Sequence, residues 1–576
     1  MESRPYRRER LDPEVAAAVA VHGAHPGALL PVLQALQARR GGLTAEALGA
    51  VADALRVPDE RVFGVATFYA LFSTGPCVER VIRVCDSPVC EALGARDTHA
   101  ALEAAARGEG WSVERASCLG LCDRAPAALR NDVSCGPVTP ASAGAVVREA
   151  ACPPCAPQAP AAGEERIVLA RVGRIDPESL ESAAAAGAYE GLRRGLAAGP
   201  ASVLRAVDDA NLRGRGGAGF PVGRKWRMVA EAAGRPKVVV CNADESEPGT
   251  FKDRVIMEGD PHRLLEGMAL AGLAVGAAEG IVYIRGEYEA VARRLERAVE
   301  AAGAGGWLGD RIRGTAFSFP IHVHRGSGAY ICGEETALLE SLEGKRGEPR
   351  ARPPYPATHG YLGRPTLVNN VETLAAVPDI VARGAAWWRS LGAAHSPGTK
   401  LFCLSGQVCR PGVYEAPLGV TLRQLLEGCA GGMRDGMPFH VALTGGAAGR
   451  FVGERALDLP LDFAWSPSGP LLGSGAMMFF GPSVSVPRLL RSVLHFFEVE
   501  SCGKCTPCRV GTRELRMVAE RLEGGRGRPE DVEALKRMAE LVGSGSFCGL
   551  GQSVAWPVKS ALEHFEAEFR EGVARG

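Results

Sequence analysis

Apolar and polar positions change their period several times along the 576 residues. Over residues 1–75, Leu29, Leu30, Val32, Leu33 and Leu36, then Leu43, Leu48, Val51 and Leu55, recur every three to four positions. That spacing puts them on one face of successive helices. Thr44 offers an N-cap to a helix starting at Ala45, with Glu46 in its first turn. Pro58 marks a turn before a further helical run from Arg61 to Phe72. From residue 78 the run VERVIRVC alternates like a strand and ends on Cys85. A helix follows over 100–107, then a second alternating run, WSVERASC. Residues 136–165 are rich in Pro and Ala with little periodicity, and predict a linker. Further on, SVLRAVDDANL has helical period, whereas KVVVCN and IVYIRGEY predict strands. Short strands, Gly/Pro turns and one helix occupy 399–480. PRLLRSVLHFFEVE and EDVEALKRMAELVGSG return to the helical period.

A chain of this length needs several cores. The expected fold class is multidomain α/β. The expected division is a helical bundle (1–75), a small α/β domain (76–135), a linker (136–165), a large α/β domain (166–395), a small β-rich domain (396–482) and a helical domain (483–576). Basic and acidic residues balance at 66 each, which points away from nucleic acid as a partner. No run of 18 apolar residues is present, so no direct membrane span is expected. The charged N-terminus lacks the apolar stretch of a secretory signal, and a cytoplasmic location is expected. The 17 cysteines cluster at metal-like spacings, which suits a reducing compartment better than a disulfide framework.

Cys502, Cys505 and Cys508 stand at C-x2-C-x2-C spacing in ESCGKCTPCRVG, and Cys548 follows alone in FCGLG. Three thiolates on one loop plus a remote fourth is the 4Fe–4S pattern. A structural zinc knot, the alternative, usually pairs two knuckles. Gly503 and Gly511 allow close backbone approach to the metal. Earlier, Cys85 and Cys90 (C-x4-C) end the first predicted strand, and Cys118 and Cys122 (C-x3-C) follow the second. Two thiol pairs on neighbouring loops suit a 2Fe–2S centre, with zinc again the alternative. Cys152 and Cys155 form a C-P-P-C in the predicted linker and lack further ligands. Cys135 is left unassigned. Cys403, Cys409 and Cys429 show no ligand spacing and are expected to be small buried apolar residues.

Gly214, Gly216 and Gly219 match G-x-G-x-x-G, but a helical pattern precedes them, so a Rossmann turn is not expected. A different phosphate cradle is, with Arg213, Arg215, Arg224 and Lys225 adding charge. Asp244, Glu245 and Glu247 at a strand end suit ribose hydroxyls or a carboxamide, or form a solvated acidic turn. Glu334 and Glu335 open a helix, where acidic residues are ordinary caps.

Residues 1–135 resemble the thioredoxin-like two-iron subunit of respiratory complex I, which shares the C-x4-C and C-x3-C pattern. Residues 200–576 resemble the NADH-binding flavoprotein subunit of complex I. GRGGAGFPVGRKW, NADESEPGTFKDR, YICGEETALLESLEGKRGEPR, PTLVNNVETL, ESCGKCTPCR and FCGLG carry that resemblance in the family order. The same module recurs in soluble NAD-linked hydrogenases, formate dehydrogenases and electron-bifurcating enzymes, where fusion of the two subunits is more typical.

The resemblance implies a thioredoxin-like 2Fe–2S domain, an FMN- and NADH-binding domain, a β-grasp-like (SLBB-type) domain and a helical 4Fe–4S domain. It implies FMN against Gly214, Gly216, Lys225, Asn242, Asp244, Gly333, Glu335, Asn369, Asn370 and Thr373. It places adenine near Phe220 and Tyr355, Glu247 on the ribose or adenine side, and Glu334 at the nicotinamide. Glu334 and Glu247 are thus the candidate catalytic residues. Where many relatives carry Lys-Pro-Pro-Phe, this chain has Arg352, Pro353, Pro354 and Tyr355. Charge and ring are kept, and Arg is the better phosphate fork, so NADPH stands as an alternative donor. The implied function is an NADH:acceptor oxidoreductase (diaphorase) subunit. It would work between NAD(H), FMN, the 4Fe–4S and 2Fe–2S clusters, and a catalytic or electron-transfer partner in a formate dehydrogenase, hydrogenase or complex-I-like assembly. An electron-carrier or scaffold subunit with an inactive nucleotide site, and a zinc-stabilised binding module, are the alternatives.

Overall fold

The runs of β-branched residues become strands where helices cover both faces. The computed structural model describes residues 12–75, 80–148, 160–161, 164–463 and 469–573. Lys237–Ala243 lies inside a four-stranded parallel sheet, between Ala277–Ile284 and Thr366–Asn370, with Ile321–Arg325 outermost. Val238, Val239, Val240 and Cys241 have no exposed surface, as expected for a strand covered on both faces. The helix Pro261–Val275 is buried along its whole length. Because the strands are parallel, their C-terminal ends share one edge, with Asn242 beside Asn370 and Cys241 beside Asn369. Crevices at such edges are where α/β sheets take ligands.

The N-terminal bundle consists of the helices Pro13–His22, Leu29–Arg40, Ala45–Leu55 and Asp59–Ala66. Thr44 Oγ1 accepts the Ala47 N–H, as its N-cap position predicts. The run expected over 61–72 starts at Asp59 and stops at Ala66. Beyond it, helical hydrogen bonds give way to tertiary ones. Ala70 N–H reaches Gly328 O at 2.9 Å, Leu71 N–H reaches Ser327 O at 3.0 Å, and the Tyr69 hydroxyl donates to Lys345 O at 2.8 Å. These bonds dock the bundle onto the large domain.

The next sheet runs Ser112–Ala116, Val81–Cys85, Ala128–Arg130, Val133–Cys135, parallel at the first pair and antiparallel after it. Its core corrects the expected linker. Val138, Ala143 and Val147 pack with Ile82, Val84 and Leu102. Thr98 Oγ1 donates to Val138 O at 2.9 Å, and Ala143–Arg148 is helical. Residues 136–148 therefore belong to this domain; their three apolar anchors are too sparse to show a period. Cys135 is disulfide-bonded, while Cys152 and Cys155 lie outside the described residues.

A five-stranded mixed sheet orders Gly412–Pro417, Thr399–Gly406, Ala476–Phe480, Val441–Thr444 and Arg450–Val452. Cys403 is buried here as expected, and Cys429 is half-buried. Cys409 is exposed, with its thiol donating to Met433 O, so the expectation of burial fails there. The helices Val486–Val499, Thr506–Glu523, Asp531–Gly545 and Ala555–Glu571 complete the chain. Among the described residues no single helix is long and apolar enough to cross a membrane.

Helix Pro261–Val275 lies so close to Val371–Arg383 that a Cβ on Gly267 would stand 2.1 Å from Leu374 O. Gly267→Ala is expected to lower stability by about 2 kcal/mol or more through overpacking. Thermal unfolding of the purified variant measures it, and an unchanged midpoint would refute this helix contact.

Candidate functional site

At the shared strand edge two cavities, of about 650 and 560 Å3, meet along Gly216, Ala218, Asn242, Gly333, Glu334 and Asn370. The larger is lined by Gly214, Phe220, Lys225, Glu335, Arg352, Tyr355, Asn369 and Thr373 as well. Asp244 and Glu247 line the smaller. The residues that the resemblance assigns to FMN and NADH thus converge on one cleft. Arg213 and Arg215, expected to add charge there, line neither cavity: Arg213 Nε donates to Gly219 O at 2.8 Å and the buried Arg215 guanidinium to Pro397 O at 3.1 Å.

Local hydrogen bonding explains how they are held. Asn370 caps the helix Val371–Arg383 and donates to Asp253 Oδ2 at 2.6 Å. Thr373 Oγ1 accepts the Arg215 N–H at 2.8 Å, tethering the glycine-rich loop to that helix. This loop joins two helices, Pro200–Asp209 and Val222–Glu231, so it is not a Rossmann turn. Lys225 Nζ donates to Glu335 Oε2 at 2.7 Å and to Val368 O at 3.0 Å. Trp226 Nε1 holds Asn369, and Asn242 Nδ2 holds Gly333 O, both at 2.8 Å. Glu334 caps its helix through Oε2, which accepts the Thr336 and Ala337 N–H groups at 3.0 and 2.9 Å. Its Oε1 is buried without a hydrogen bond, and the Arg352 guanidinium stands 3.3 Å away. Phe220 and Tyr355 are 42% and 52% exposed, so two aromatic faces stand open at the mouth.

The smaller cavity is acidic and half-desolvated. Burial pushes the Asp244 carboxyl well up, and its Oδ2 lacks a partner. Burial and then Asp253 push Glu245 to about 8, against the pull of Lys252. Burial pushes Glu247 to about 7, opposed by the Tyr330 hydroxyl and by the Ala448 N–H at 2.8 Å. Beneath this floor Lys252 contacts Asp253 at 2.7 Å and Glu372 at 3.0 Å, and Lys400 contacts Glu372 at 3.3 Å. Sequence reasoning did not single out Tyr330, Lys252 or Asp253. All three lie within the runs YICGEE and NADESEPGTFKDR, whose acidic residues and glycines drew the attention.

The first cysteine set is buried as a group. Cys85 ends its strand, Cys90 lies in the helix Pro88–Ala92, and Cys118 and Cys122 bracket the loop after the second strand. The Cys85 thiol is within reach of Cys118 and Cys90, and Cys118 of Cys122. Cys118 is driven well down, first by hydrogen bonds from Cys122 and Cys85. In the second set, Cys505 N-caps the helix Thr506–Glu523 and Cys548 N-caps Gly549–Ser553. Cys502, Cys505, Cys508 and Cys548 act on one another electrostatically. Ser501 Oγ lies 3.3 Å from Cys508 Sγ, and the Leu550 and Gly551 N–H groups point at Cys548. Burial pushes Cys502 and Cys548 up and Cys508 to about 11, so a bound cation is what would keep these three thiols ionised at neutral pH. Among the described residues no three His, Cys, Asp or Glu side chains have the arrangement of a single-ion site. Each set is made of thiols alone, a donor chemistry that suits iron–sulfur clusters. The smaller cavity is walled by Gly549, Leu550, Ser553 and Trp556, directly after Cys548. The second cysteine set therefore backs onto the cleft.

Four family models match the chain. They are the Nuo51 FMN-binding domain (207–379), the NADH-ubiquinone oxidoreductase-F iron–sulfur binding region (488–572), the thioredoxin-like 2Fe–2S ferredoxin (15–151) and the SLBB domain (401–447). An F-type NADH-quinone oxidoreductase subunit of Rhizobium meliloti is 48% identical, over 70% of this chain and 97% of that protein. The NADP-reducing hydrogenase subunit HndC of Solidesulfovibrio fructosivorans is 42% identical, over 71% and 83%. A chain in the crystal structure of an H2-reduced NAD+-reducing NiFe hydrogenase superposes with TM-score 0.84 at 36% identity, over 96% of this chain and 94% of that one. The glycine-rich loop lies within the stretch that matches the FMN-binding domain and the two cysteine sets within those that match the iron–sulfur regions, and the chain belongs to the NADH-oxidising, FMN- and iron–sulfur-carrying flavoprotein family of complex I, with a thioredoxin-like 2Fe–2S domain in the same polypeptide.

Proposed function

We propose that the two joined cavities hold FMN and NADH side by side, and that electrons leave through the thiol-bound clusters to a partner subunit. The observation that carries this reading is the continuity of the cleft. It runs from the exposed aromatics Phe220 and Tyr355, past Gly333 and Glu334, to the wall that follows Cys548. Bound FMN supplies the conversion between two-electron hydride chemistry and one-electron transfer. The chain's residues bind and orient. Gly214 and Gly216 expose backbone N–H groups to phosphate beside Lys225. Asn242, Asp244, Gly333, Glu335, Asn369, Asn370 and Thr373 complete the flavin wall. Phe220 and Tyr355 take the adenine, Arg352 adds charge at the mouth, and Glu247 accepts from a ribose hydroxyl. Glu334 holds the nicotinamide with Oε1, the oxygen its helix cap does not use and which the Arg352 guanidinium faces at 3.3 Å. No general base is needed.

Cys502, Cys505, Cys508 and Cys548 would hold the 4Fe–4S cluster as first acceptor, and Cys85, Cys90, Cys118 and Cys122 the 2Fe–2S centre. The five-stranded sheet is read as β-grasp-like and the C-terminal bundle as the four-iron domain. The relatives' names support a partner in a complex-I-like or hydrogenase assembly; a formate dehydrogenase partner and a cytoplasmic location belong to the proposal on the sequence resemblance alone. A carrier with a decayed nucleotide site is disfavoured by the open cleft and by the Asp244 Oδ2 atom buried there without a hydrogen bond. An anaerobic NADH titration followed by absorbance and EPR tests the whole reading. Flavin bleaching with both cluster signals is expected, and clusters that answer only to dithionite would refute it.

Gly333 has room for a Cβ, the nearest atom being Asp244 O at 3.5 Å. Gly333→Ala should therefore keep apoprotein stability within about 0.5 kcal/mol yet lower flavin content several-fold, by unfolding midpoint and released-flavin fluorescence. Cys548→Ser should abolish the four-iron EPR signal with flavin still bound; a surviving signal would remove Cys548 from the ligand set. Glu247 is ionised and a strong acceptor only above its pKa of about 7. The KM for NADH should thus rise as pH falls below that value, and Glu247→Gln should flatten the profile.

A further inference from the structure

The segment 243–254 has two occupied faces. One lines the cleft through Asp244, Glu245, Glu247 and Lys252. The other grips the loop carrying Cys118 and Cys122. Arg254 forks onto Asp123, beside Cys122, at 2.8 and 2.9 Å. Gly120, at φ 68°, packs so tightly under the Tyr288 hydroxyl that a Cβ would stand 2.0 Å from it.

Arg285 ties these faces together. It follows the strand Ala277–Ile284 and is 2% exposed. Its Nη1 donates to Glu245 O at 2.6 Å, its Nη2 to Cys118 O, and its Nε to Glu287 Oε2 at 3.0 Å. The guanidinium lies 5.0 Å over the Tyr288 ring. Glu287 is its one ion-pair partner among the described residues. A permanently charged fork is thus fixed, by a domain that contributes none of the first cysteine set, against the backbone of one member of that set.

We propose that Arg285 is the positioning residue that sets the reduction potential of the two-iron centre from the flavin domain. A 2Fe–2S centre on four thiolates gains negative charge on reduction, and a buried cation beside it favours that gain. The same fork holds the Glu245 carbonyl on the cleft side, so flavin site and two-iron loop share one cation. Glu287 tempers the field.

This proposal rests on the ligand assignment of Cys85, Cys90, Cys118 and Cys122. The test is an EPR-monitored redox titration of the full chain, reading both cluster potentials, alongside flavin affinity. Absence of a two-iron signal in the parent chain would defeat that ligand assignment, and with it the basis of the test. With the signal present, R285Q should shift the two-iron potential to more negative values, leave the four-iron potential in place and weaken flavin binding several-fold. R285K, which keeps the charge, should restore most of the potential. An unmoved two-iron potential in R285Q, or an equal shift of both clusters, would overturn the proposal. Should R285Q fail to assemble, E287Q decides. Loss of that carboxylate should move the two-iron potential to more positive values, and no movement would overturn the proposal.

Discussion

One carboxylate, Glu372, holds the floor of the cleft together. Its oxygens face the ammonium groups of Lys252 and Lys400 and accept the Leu401 N–H at 2.8 Å. Lys400 in turn donates to Arg215 O at 3.1 Å. The turn before Lys252, the glycine-rich loop, the helix Val371–Arg383 and the strand Thr399–Gly406 of the five-stranded sheet are therefore pinned to one buried point. Burial alone would drive this carboxyl up, but Lys400, Lys252 and Arg215 outweigh it and hold it below its ordinary value. Removing one partner of such a set costs about 3–5 kcal/mol, because the others are left charged and dry. None of these four segments can shift without disturbing the set.

That rigidity suits electron transfer. The chain must hold three redox groups at fixed separations and needs little motion between them. The second cysteine set reaches the cleft through the short helix opening at Cys548, while the first reaches it through the opposite face of the 243–254 segment. The two cysteine sets thus lie behind different walls of the cleft. At the second junction Cys118 and Cys122 share a buried core with Phe251 and Tyr288, and the Arg285 guanidinium adds polar bonds to the Cys118 and Glu245 carbonyls.

The metal chemistry was readable in the sequence, because cluster ligation depends on thiol spacing along the chain, and that spacing is a one-dimensional quantity. The cleft residues were readable chiefly through the resemblance carried by runs such as NADESEPGTFKDR and YICGEE, and the structure gathers those residues, but not the Arg213 and Arg215 charges, at the cleft. What stayed hidden depends on contacts between distant segments. The helix after Pro58 stops at Ala66 because Gly328, Ser327 and Lys345 claim the next hydrogen bonds. Residues 136–148 looked like a linker because Val138, Ala143 and Val147 anchor them without periodicity. Arg285 looked like the end of an ordinary strand, since its partners lie 40 and 167 positions away.

Glu334 spends one oxygen on its own helix and keeps the other in the cleft. A carboxylate tethered in this way has few rotamers left to lose. Freezing a free glutamate on binding costs about 0.5–1.5 kcal/mol of conformational entropy. Here that ordering is complete once the helix has formed, and a nucleotide arriving at the cleft meets an acceptor already in place. The helix cap thereby becomes a device for affinity, one that acts through order already present in the free protein.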